Sequence, residues 1–522
     1  MRGVSEFIKT PGDKDIPIGN IFTEQMLSEM LELMGQAGWS GLEETKSQYH
    51  QNYKHKKIIS EFIRDDLIGK KRLTSMPDRL TNTIETSTGA TVLRPTVINC
   101  YSEPLSSVDI WWKHWKSFMF LDSISLVSKA KDANGKPLVQ QVKMTDIIQP
   151  IKRSKYPAIT EEEELISKPL QVMALGIFDA ILVHMMNTID QQTSGSGAYL
   201  NGSSSSASSW PNIRNTICDK LNKNKNSRIL EILTSSVYSS TDILFLQEVG
   251  KTFLSTAARH QRFNELYDLY TSQESSAGSS TRDQNSVILL KKNKYEFVKD
   301  VTGEVTQGYE TIPRDASFTG SKSLPVDEGD LFAVLVQEKN PSSSSAPVTA
   351  SHSGGYLLAS FHGDTNGLAT KSVVEAMNHY ALYSVPNYRL LFGLDANTYS
   401  KPEKDQQGVL DFASFYKSLH LNSCYTQQPN PFNYTTFHAR TYLQPQLNKA
   451  ITYEEKDEKG DKNLKDYILF YESDYELLET KKDNTGEKKY VEGMVFPTLQ
   501  FPSDHGITST VLKEIDQDHS KA

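Results

Sequence analysis

From about residue 170 onward, the sequence predicts a mixed α/β or α+β domain with a large sheet content. Short apolar runs typical of strands alternate there with segments whose apolar residues recur at the helical period. The chain shows no internal repeat of about 20–50 residues, which argues against a solenoid or a propeller. We therefore expect layered sheets and helices in the C-terminal two thirds of the protein.

The expected elements follow one another in a regular order. We predict strands at Ala180–Met186, Ile243–Leu246, Ser286–Leu290, Leu331–Gln337, Tyr356–Phe361, Arg389–Gly393 and Tyr467–Tyr471. We predict helices at Ile213–Leu221, Arg228–Ser235, Ala257–Thr271 and Thr370–Leu382. Serine-rich stretches between these elements are interpreted as expanded loops within one domain, namely Thr193–Ser209, Thr271–Ser280 and Pro341–Pro347.

Composition narrows the class of protein. The 522 residues are 37% hydrophobic and 23% charged, which excludes wholesale disorder and allows roughly two to four domains. The net charge of −8 argues against a strongly basic duplex-binding domain. Three widely spaced cysteines exclude a disulfide framework and a CxxC zinc site. They fit a reducing compartment, so we expect an intracellular protein, cytoplasmic or nuclear.

Membrane insertion is not expected. The N-terminus has no apolar core typical of a signal peptide. The most apolar stretch, Val172 to Met186, is interrupted by Asp179 and is shorter than the roughly 20 residues that a membrane span needs.

Residues 1–170 differ from the rest of the chain. They contain four of the five tryptophans, at positions 39, 111, 112 and 115. The cluster Trp111–Trp115 is most simply interpreted as buried packing, and a surface for a protein partner is the alternative. We leave the fold of this region unassigned. We place the domain boundary near the acidic run Glu161–Glu164, so that residues 171–522 form the second domain.

Polar residues stand where several predicted strands begin or end. Any one of them could simply open a turn, because Asn, Asp and Ser commonly do so. Together, they would converge on one edge of a sheet. They are Asn187, Glu248, His362, Asp395, Asn397, Asp466, Asp504 and His505.

These side chains are suited to phosphoryl chemistry. Mg²⁺ prefers one or two carboxylates together with phosphate oxygens and water. Histidines beside such an ion can hydrogen-bond a phosphate oxygen or move a proton. The chain has no GxxxxGK[ST] motif, so a P-loop is excluded.

The order of these motifs resembles the endonuclease/exonuclease/phosphatase superfamily, the DNase I-like fold. The matching segments, in order, are AILVHMMN, TDILFLQEV, LLASFH, LFGLDAN, KDYILFY and FPSDH. They span about residues 175–515, and DYILFY followed by FPSDH is most similar to the deadenylase and nocturnin-like branch. Two features depart from the pattern. Leu394 separates Gly393 from Asp395, and Asn99 in TVINCYS is a rival for Asn187.

The resemblance implies an α+β fold, namely a four-layer α/β/β/α sandwich. It implies a Mg²⁺ ion, for which Mn²⁺ could substitute, held by Asn187, Glu248 and Asp504. It also implies that Asp395 positions or deprotonates a water, that Asn397 and His362 contact phosphate, and that His505 is oriented by Asp466. In the polar segment 435–450, His438 and Arg440 are candidates for substrate binding, and the alternative is a solvated loop.

The expected function is a Mg²⁺-dependent hydrolase of a phosphodiester bond. The preferred activity is that of a nuclease of the exonuclease or deadenylase type, and the preferred substrate is RNA or a nucleotide. A phosphatase or lipid phosphodiesterase of the same superfamily is one alternative. A catalytically silent binding module is the other, because a fold alone does not determine function. Protein partners, if any, would be sought at the N-terminal region.

Overall fold

The computed structural model describes residues 7–131, 137–195, 210–272, 284–313, 323–339, 355–437 and 461–515. These residues form two compact units, one that ends at Asp219 and one that begins at Lys220. The boundary predicted between residues 170 and 171 does not coincide with this division. It falls inside the first unit because Ser167–Gly195 is one continuous helix.

The first unit is mainly helical. Its helices are α1 (Glu24–Gln36), α2 (Leu42–Gln48), α3 (Asp66–Lys70), α4 (Ser75–Thr81), α5 (Val108–Lys116), α6 (Met144–Ile147), α7 (Glu161–Leu165), α8 (Ser167–Gly195) and α9 (Trp210–Cys218). Two antiparallel strand pairs complete it, β1 (Thr83–Glu85) with β2 (Thr91–Leu93) and β3 (Ile124–Lys131) with β4 (Pro137–Val142).

Helix α8 corrects the first predicted strand. Ala180–Met186 lies within this helix and does not form a strand. A continuous apolar run cannot be assigned by periodicity alone, because a buried helix and a buried strand both produce it. Ser167–Gln191 is long and apolar enough to cross a membrane, but 67% of its most apolar window is buried in the protein, as in the core helix of a soluble protein.

A buried ion pair lies in the core of the first unit. Arg94 Nε is 2.8 Å from Asp179 Oδ2, and Arg94 Nη2 is 2.7 Å from Asp78 Oδ1. Thr96 Oγ1 and Trp115 Nε1 donate to the Asp179 carboxylate at 2.7 and 2.9 Å. Asp179 interrupts the apolar stretch of the sequence because it neutralises this arginine.

The tryptophan cluster is packing in the core. Trp111 and Trp115 are fully buried and Trp112 is 6% exposed. The rings of Trp112 and Trp115 stack with centroids 5.7 Å apart. These three side chains therefore do not form a partner surface.

The second unit contains the predicted alternation of strands and helices. Its strands are β5 (Ile243–Val249), β6 (Tyr267–Tyr270), β7 (Asn285–Lys291), β8 (Tyr295–Asp300), β9 (Leu331–Glu338), β10 (Gly355–His362), β11 (Tyr388–Asp395), β12 (Leu421–Ser423), β13 (Thr436–Phe437), β14 (Lys462–Asn463), β15 (Asp466–Tyr471), β16 (Tyr475–Asp483) and β17 (Ile507–Glu514). Its helices are α10 (Lys225–Thr234), α11 (Lys251–Arg259), α12 (Gln261–Leu266), α13 (Thr302–Glu310), α14 (Thr370–Tyr383) and α15 (Val409–Ser418).

Sheet pairing defines two facing layers. Among the described residues, one sheet has the order β12-β15-β11-β10-β9-β8, in which β10 and β11 are parallel and the other pairs antiparallel. A second sheet has the order β5-β7-β6, and β16 pairs with β17. The predicted helix Ala257–Thr271 is partly wrong, because its last residues form strand β6.

Alternating side chains show four layers. On β9, Leu331, Ala333 and Leu335 belong to the core under helices α13, α14 and α15. Phe332 and Val334 belong to the core between the two sheets, which Ile288 and Leu290 of β7 enter from the other side. Val287 and Leu289 of β7 face helices α10 to α12. The α/β/β/α sandwich predicted for this part of the chain is confirmed.

Candidate active site

Three predicted site residues are neighbours in the six-stranded sheet. His362 at the end of β10 is directly opposite Asp395 at the end of parallel strand β11. Asp395 is in turn opposite Asp466, the first residue of antiparallel strand β15. Side chains at directly paired positions lie on the same face of a sheet. The strand register thus brings a histidine and two carboxylates together, as the strand-end pattern predicts.

Distances extend this row into a cluster of five side chains. His362 Nε2 lies 3.4 Å from Glu248 Oε1 and 3.7 Å from Asp395 Oδ2. His505 Nε2 lies 3.8 Å from the same Asp395 oxygen. His505 Nδ1 is 3.0 Å from both Asp466 carboxylate oxygens. Asp395 is therefore placed between two imidazoles, and the cluster is confined to the second unit.

The Asp466–His505 pair has a clear electrostatic effect. Burial lowers the pKa of His505, but the carboxylates of Asp466 and Asp395 outweigh burial and hold that pKa well above its usual range. A carboxylate on Nδ1 also fixes the ring orientation and leaves Nε2 as the outward donor. His505 is thereby prepared as a cation that donates a hydrogen bond.

Asp395 is a buried carboxylate, 5% exposed. Burial raises its pKa and the Asp466 carboxylate adds to that rise, whereas the positive charges of His505 and Lys465 oppose it. The backbone N–H of Asn397 donates to Asp395 Oδ1 at 2.9 Å, so Oδ2 is the oxygen that faces the histidines. A fixed carboxylate with a raised pKa is suited to accept a proton.

Glu248 and Asn397, which follows Asp395 by two residues, have an unusual backbone. Glu248 has φ 54° and Asn397 has φ 48°, a left-handed conformation that side-chain-bearing residues seldom adopt. Glu248 lies at a register shift in the pairing of β5 with β7, between Leu246 and Val249. Such bulges redirect a side chain and occur next to active sites. The bulge explains why the Glu248 carboxylate, 51% exposed, faces the cluster from the second sheet.

Gln247 and Ser360 join the two sheets beneath the cluster. Gln247 Nε2 donates to Ser360 Oγ at 3.0 Å, and Ser360 Oγ donates to the carbonyl of Leu246 at 3.1 Å. These bonds position strand β5, and with it Glu248, relative to strand β10. The sequence motif LQE includes this glutamine, but its partner in β10 could not be identified before the structure.

The carboxylates are suited to a divalent cation. Asp395, Asp466 and His505 each offer a ligand atom within 4.8 Å of the others. The 3.0 Å contacts between His505 Nδ1 and Asp466 are hydrogen bonds, so this trio is better described as a histidine–carboxylate pair beside Asp395. Glu248 offers an accessible carboxylate at the edge of the same cluster, and hard cations favour such oxygens. The oxygen donors of this cluster therefore fit a hard divalent cation.

Four other predicted residues have different positions. Asp504 is half-buried beside His505, close enough for its charge to raise the pKa of that histidine. Asn187 lies in helix α8 of the first unit, where its Nδ2 donates to Leu105 O and its Oδ1 accepts from Trp210 Nε1. The metal-binding prediction for Asn187 assumed a strand that ends at this residue, and the structure has a helix there instead. His438 and Arg440 lie outside the described residues.

The rival asparagine is also structural. Asn99 is buried in the first unit, and its Nδ2 donates to the carbonyls of Asn82 and Arg94 at 2.9 Å. Asn99 follows strand β2, which ends at Leu93, and does not itself lie in a strand. Neither candidate for the first motif is therefore supported as a metal ligand.

Lys465 was missed by the sequence reasoning. It is 7% exposed, and its Nζ lies 3.4 Å from Asp461 Oδ1 and 5.6 Å from the ring centroid of Tyr399. Burial lowers its pKa, but Asp461 and Asp395 outweigh burial and raise it, so the side chain stays charged. The only signal was a lysine directly before Asp466, which by itself is typical of a solvated strand end.

Comparisons with known proteins separate the two parts of the chain. Residues 15–196 match a family model described as a domain of unknown function, DUF8234. That match covers much of the first unit and assigns no activity to it. No curated protein matches the chain.

Solved structures match over half of the chain. The human nocturnin catalytic domain with bound sulfate is 15% identical, with a TM-score of 0.33, covering 57% of this chain and 90% of that one. A D. rerio TDP2 complexed with single-strand DNA product is 12% identical, with a TM-score of 0.33 and coverage of 56% and 94%. A protein from Bacteroides vulgatus named endonuclease/exonuclease/phosphatase is 12% identical, with a TM-score of 0.34 and coverage of 57% and 94%.

Proposed function

We propose that this protein is a divalent-metal-dependent phosphoesterase that hydrolyses a phosphodiester bond. One observation carries the proposal: strand register and the bulge at Glu248 gather Glu248, His362, Asp395, Asp466 and His505 into a single cluster. Acidic metal ligands, a buried base and donors that face phosphate oxygens suit phosphoryl transfer, in which catalysis is mainly positioning and electrostatic stabilisation. A structural ion pair alone would not need two histidines on one carboxylate.

The chain's own residues have separate roles in this mechanism. Glu248 would hold the metal ion, which when bound supplies Lewis-acid stabilisation of charge on the phosphate. Asp395, fixed by the Asn397 N–H, orients a water molecule and accepts its proton as the water oxygen attacks phosphorus. The bond from phosphorus to the leaving oxygen then breaks, and the leaving oxygen departs with the electron pair and takes a proton from solvent water.

The histidines stabilise charge in the transition state. His505, kept cationic by Asp466, donates from Nε2 to a phosphate oxygen, and His362 donates to another. Such preorganised donors are usually the largest contribution to catalysis. Asp466 is a positioning residue, because it acts through the His505 ring.

The preferred substrate is RNA or a nucleotide, which makes the protein a nuclease of the exonuclease or deadenylase type. The acidic net charge of the chain supports a short or single-stranded substrate over a long duplex, because duplex binding depends on many phosphate contacts from lysine and arginine.

The test is hydrolysis of bis(p-nitrophenyl) phosphate and of short RNA, with Mg²⁺, with Mn²⁺ and with EDTA. We expect metal-dependent turnover that Glu248→Gln lowers by about 100-fold or more, because a catalytic metal supplies several kcal/mol. Glu265→Gln is the matched control, since its carboxylate is 48% exposed on helix α12 and lies in a surface ion pair with Arg262. Turnover that persists in EDTA, or none on any phosphoester by folded protein, would reject the proposal.

A further inference from the structure

Beside the cluster lies a group of aromatic side chains that the proposed mechanism does not use. Phe432, Tyr434 and Phe437 form a continuous row, with ring centroids 6.2 Å apart for the first pair and 5.9 Å for the second. Phe432 is 53% exposed, and the other two rings are half-buried. A single exposed phenylalanine needs no explanation, but three contacting rings form a surface. We call these three residues the aromatic row.

Lysines accompany the aromatic row. Lys462 Nζ lies 5.0 Å from the ring centroid of Phe437. Lys482 Nζ donates to the carbonyl of Tyr434 at 3.0 Å and lies 3.7 Å from the ring centroid of Tyr490. Lys482 is only 10% exposed and its Nζ lies 3.8 Å from Glu492 Oε1. The accessible positive charge beside the row is therefore that of Lys462, although the chain as a whole is acidic.

Thr435 connects the aromatic row to the candidate active site. Its Oγ1 accepts from the backbone N–H groups of Lys465 and Asp466 at 2.9 and 3.3 Å. Its carbonyl accepts from Gly506 N at 2.8 Å, directly after His505. Tyr434 is the chain neighbour of Thr435. The row therefore begins about 4 Å along the chain from the residue that hydrogen-bonds the backbone at Asp466 and directly after His505.

We infer that the aromatic row is a stacking surface for the bases of a single-stranded nucleic acid whose scissile phosphate lies at the cluster. This inference rests on the proposed function, for which it names the substrate class. Aromatic faces interleaved with lysines are the combination that binds single strands, because every base offers a π-face and every linkage a negative phosphate. A duplex would not bind in this way, since its bases are already stacked on one another.

Two alternatives fit the surface less well. A sugar phosphate or an inositol phosphate offers charge to Lys462 but no flat face to Phe432. A lipid would need a broader apolar surface, and its headgroup would leave Phe437 beneath Lys462 without a function. The aromatic row thus favours a ligand with a repeated unit of planar ring and phosphate.

The test compares two probes that carry the same phosphates. One is a fluorescein-labelled oligo(dT) of about eight nucleotides, within the usual site size for single strands, and the other is an abasic oligomer of equal length. Fluorescence anisotropy is measured in EDTA, so that neither probe is cleaved. We expect the wild-type protein to bind oligo(dT) about 10-fold or more tightly than the abasic oligomer, because stacking contributes to affinity for each base.

Variants assign this preference to the aromatic row. Phe432→Ala, and separately Phe437→Ala, should each weaken oligo(dT) binding by about 10-fold and affect the abasic oligomer little. The matched control is Tyr383→Ala, which removes another aromatic ring, 75% exposed on helix α14. Circular dichroism checks folding. Phe432→Ala alone decides the matter if Phe437→Ala does not fold, because Phe432 is mostly exposed.

The outcomes separate this inference from the proposed function. Equal binding of both probes, or an unchanged preference in Phe432→Ala, would overturn the stacking surface. Hydrolysis of bis(p-nitrophenyl) phosphate by the same wild-type sample would, in that case, leave the phosphoesterase standing. A base preference lost in Phe432→Ala, in a protein that hydrolyses no diester, would support the stacking surface and reject the phosphoesterase.

Discussion

At the scale of single residues, Lys465 contributes a positive charge beside the buried carboxylate of Asp395. Its backbone is held on both sides, since its N–H donates to Thr435 Oγ1 and its carbonyl accepts from Ala396 N at 2.8 Å. Its ammonium group is buried with Asp461 and lowers the pKa of Asp395 against the effect of burial. A buried cation next to a general base keeps that base ionised.

We predict that Lys465→Met raises the pKa of Asp395. Asp395 must be ionised to accept a proton, so a higher pKa means that activity falls at a higher pH as the solution is acidified. The acidic limb of the pH profile of kcat/KM should therefore move upward, and Lys465→Arg should restore most of it because the charge returns.

The pH profile of hydrolysis over about pH 4–9 measures this effect. Lys513→Met is the control, because that ammonium is 66% exposed and pairs with Glu476 on strand β16. If the acidic limb of kcat/KM does not move in Lys465→Met, the charge of Lys465 does not affect the pKa of Asp395.

Site residues differed in how well the sequence predicted them. His362, Asp395 and Asp466 were predictable because each ends or begins an apolar run, and neighbouring strands bring such positions together. Lys465 was not predictable, because its side chain is buried against Asp461 and Tyr399. Both residues lie outside strand β15, so the strand pattern does not show these contacts. The strand predicted before Asn187 was wrong because that apolar run is helical.

At the scale of elements, Gly393 explains the departure from the usual glycine–aspartate pair. Strand β11 continues through Leu394 to Asp395, so Gly393 lies within the strand rather than in a turn. A Cβ at this position would lie 2.3 Å from Phe245 Cγ on strand β5. The glycine is needed for the close approach of the two sheets.

We predict that Gly393→Ala destabilises the second unit by about 1–3 kcal/mol, as overpacking of a core does. The control variant should change the free energy of unfolding in the opposite direction. Gly303 is exposed in helix α13, and a Cβ added there would meet no other atom within 4 Å, so Gly303→Ala should stabilise by about 0.5–1 kcal/mol. Urea unfolding followed by circular dichroism measures both, and a neutral Gly393→Ala would contradict the packing argument.

Strands of the second unit were predicted better than the helices. Strands such as β9 and β10 are buried on both faces, so they left continuous apolar runs of strand length bounded by polar residues. Helix α8 has no polar face to reveal its period, because it is buried within the first unit. The residues of strand β6 were predicted as helix because Tyr267–Tyr270 continues the apolar spacing of helix α12.

At the scale of the whole molecule, the two units can be followed separately. All five tryptophans lie at or before residue 210, hence in the first unit, and the second unit has none. Tryptophan fluorescence therefore reports on the first unit alone. Trp115 is particularly informative, since its indole donates to Asp179 in the buried ion pair.

We predict that Asp179→Leu destabilises the first unit by about 3–5 kcal/mol, because it leaves Arg94 charged and short of a partner in the core. The double variant Arg94→Met with Asp179→Leu should recover part of this loss, since removing both charges removes their desolvation cost. Denaturant unfolding followed by tryptophan fluorescence measures the free energy. If the double variant is no more stable than Asp179→Leu, the unpaired charge is not the cause.

The register of β10, β11 and β15 also determines where the chain can change length over evolution. Inserting one residue inside any of these strands would turn its site residue to the opposite face, since side chains alternate along a strand. Insertions in the connections leave every pairing intact. The connections between strands can therefore change length while His362, Asp395 and Asp466 remain aligned.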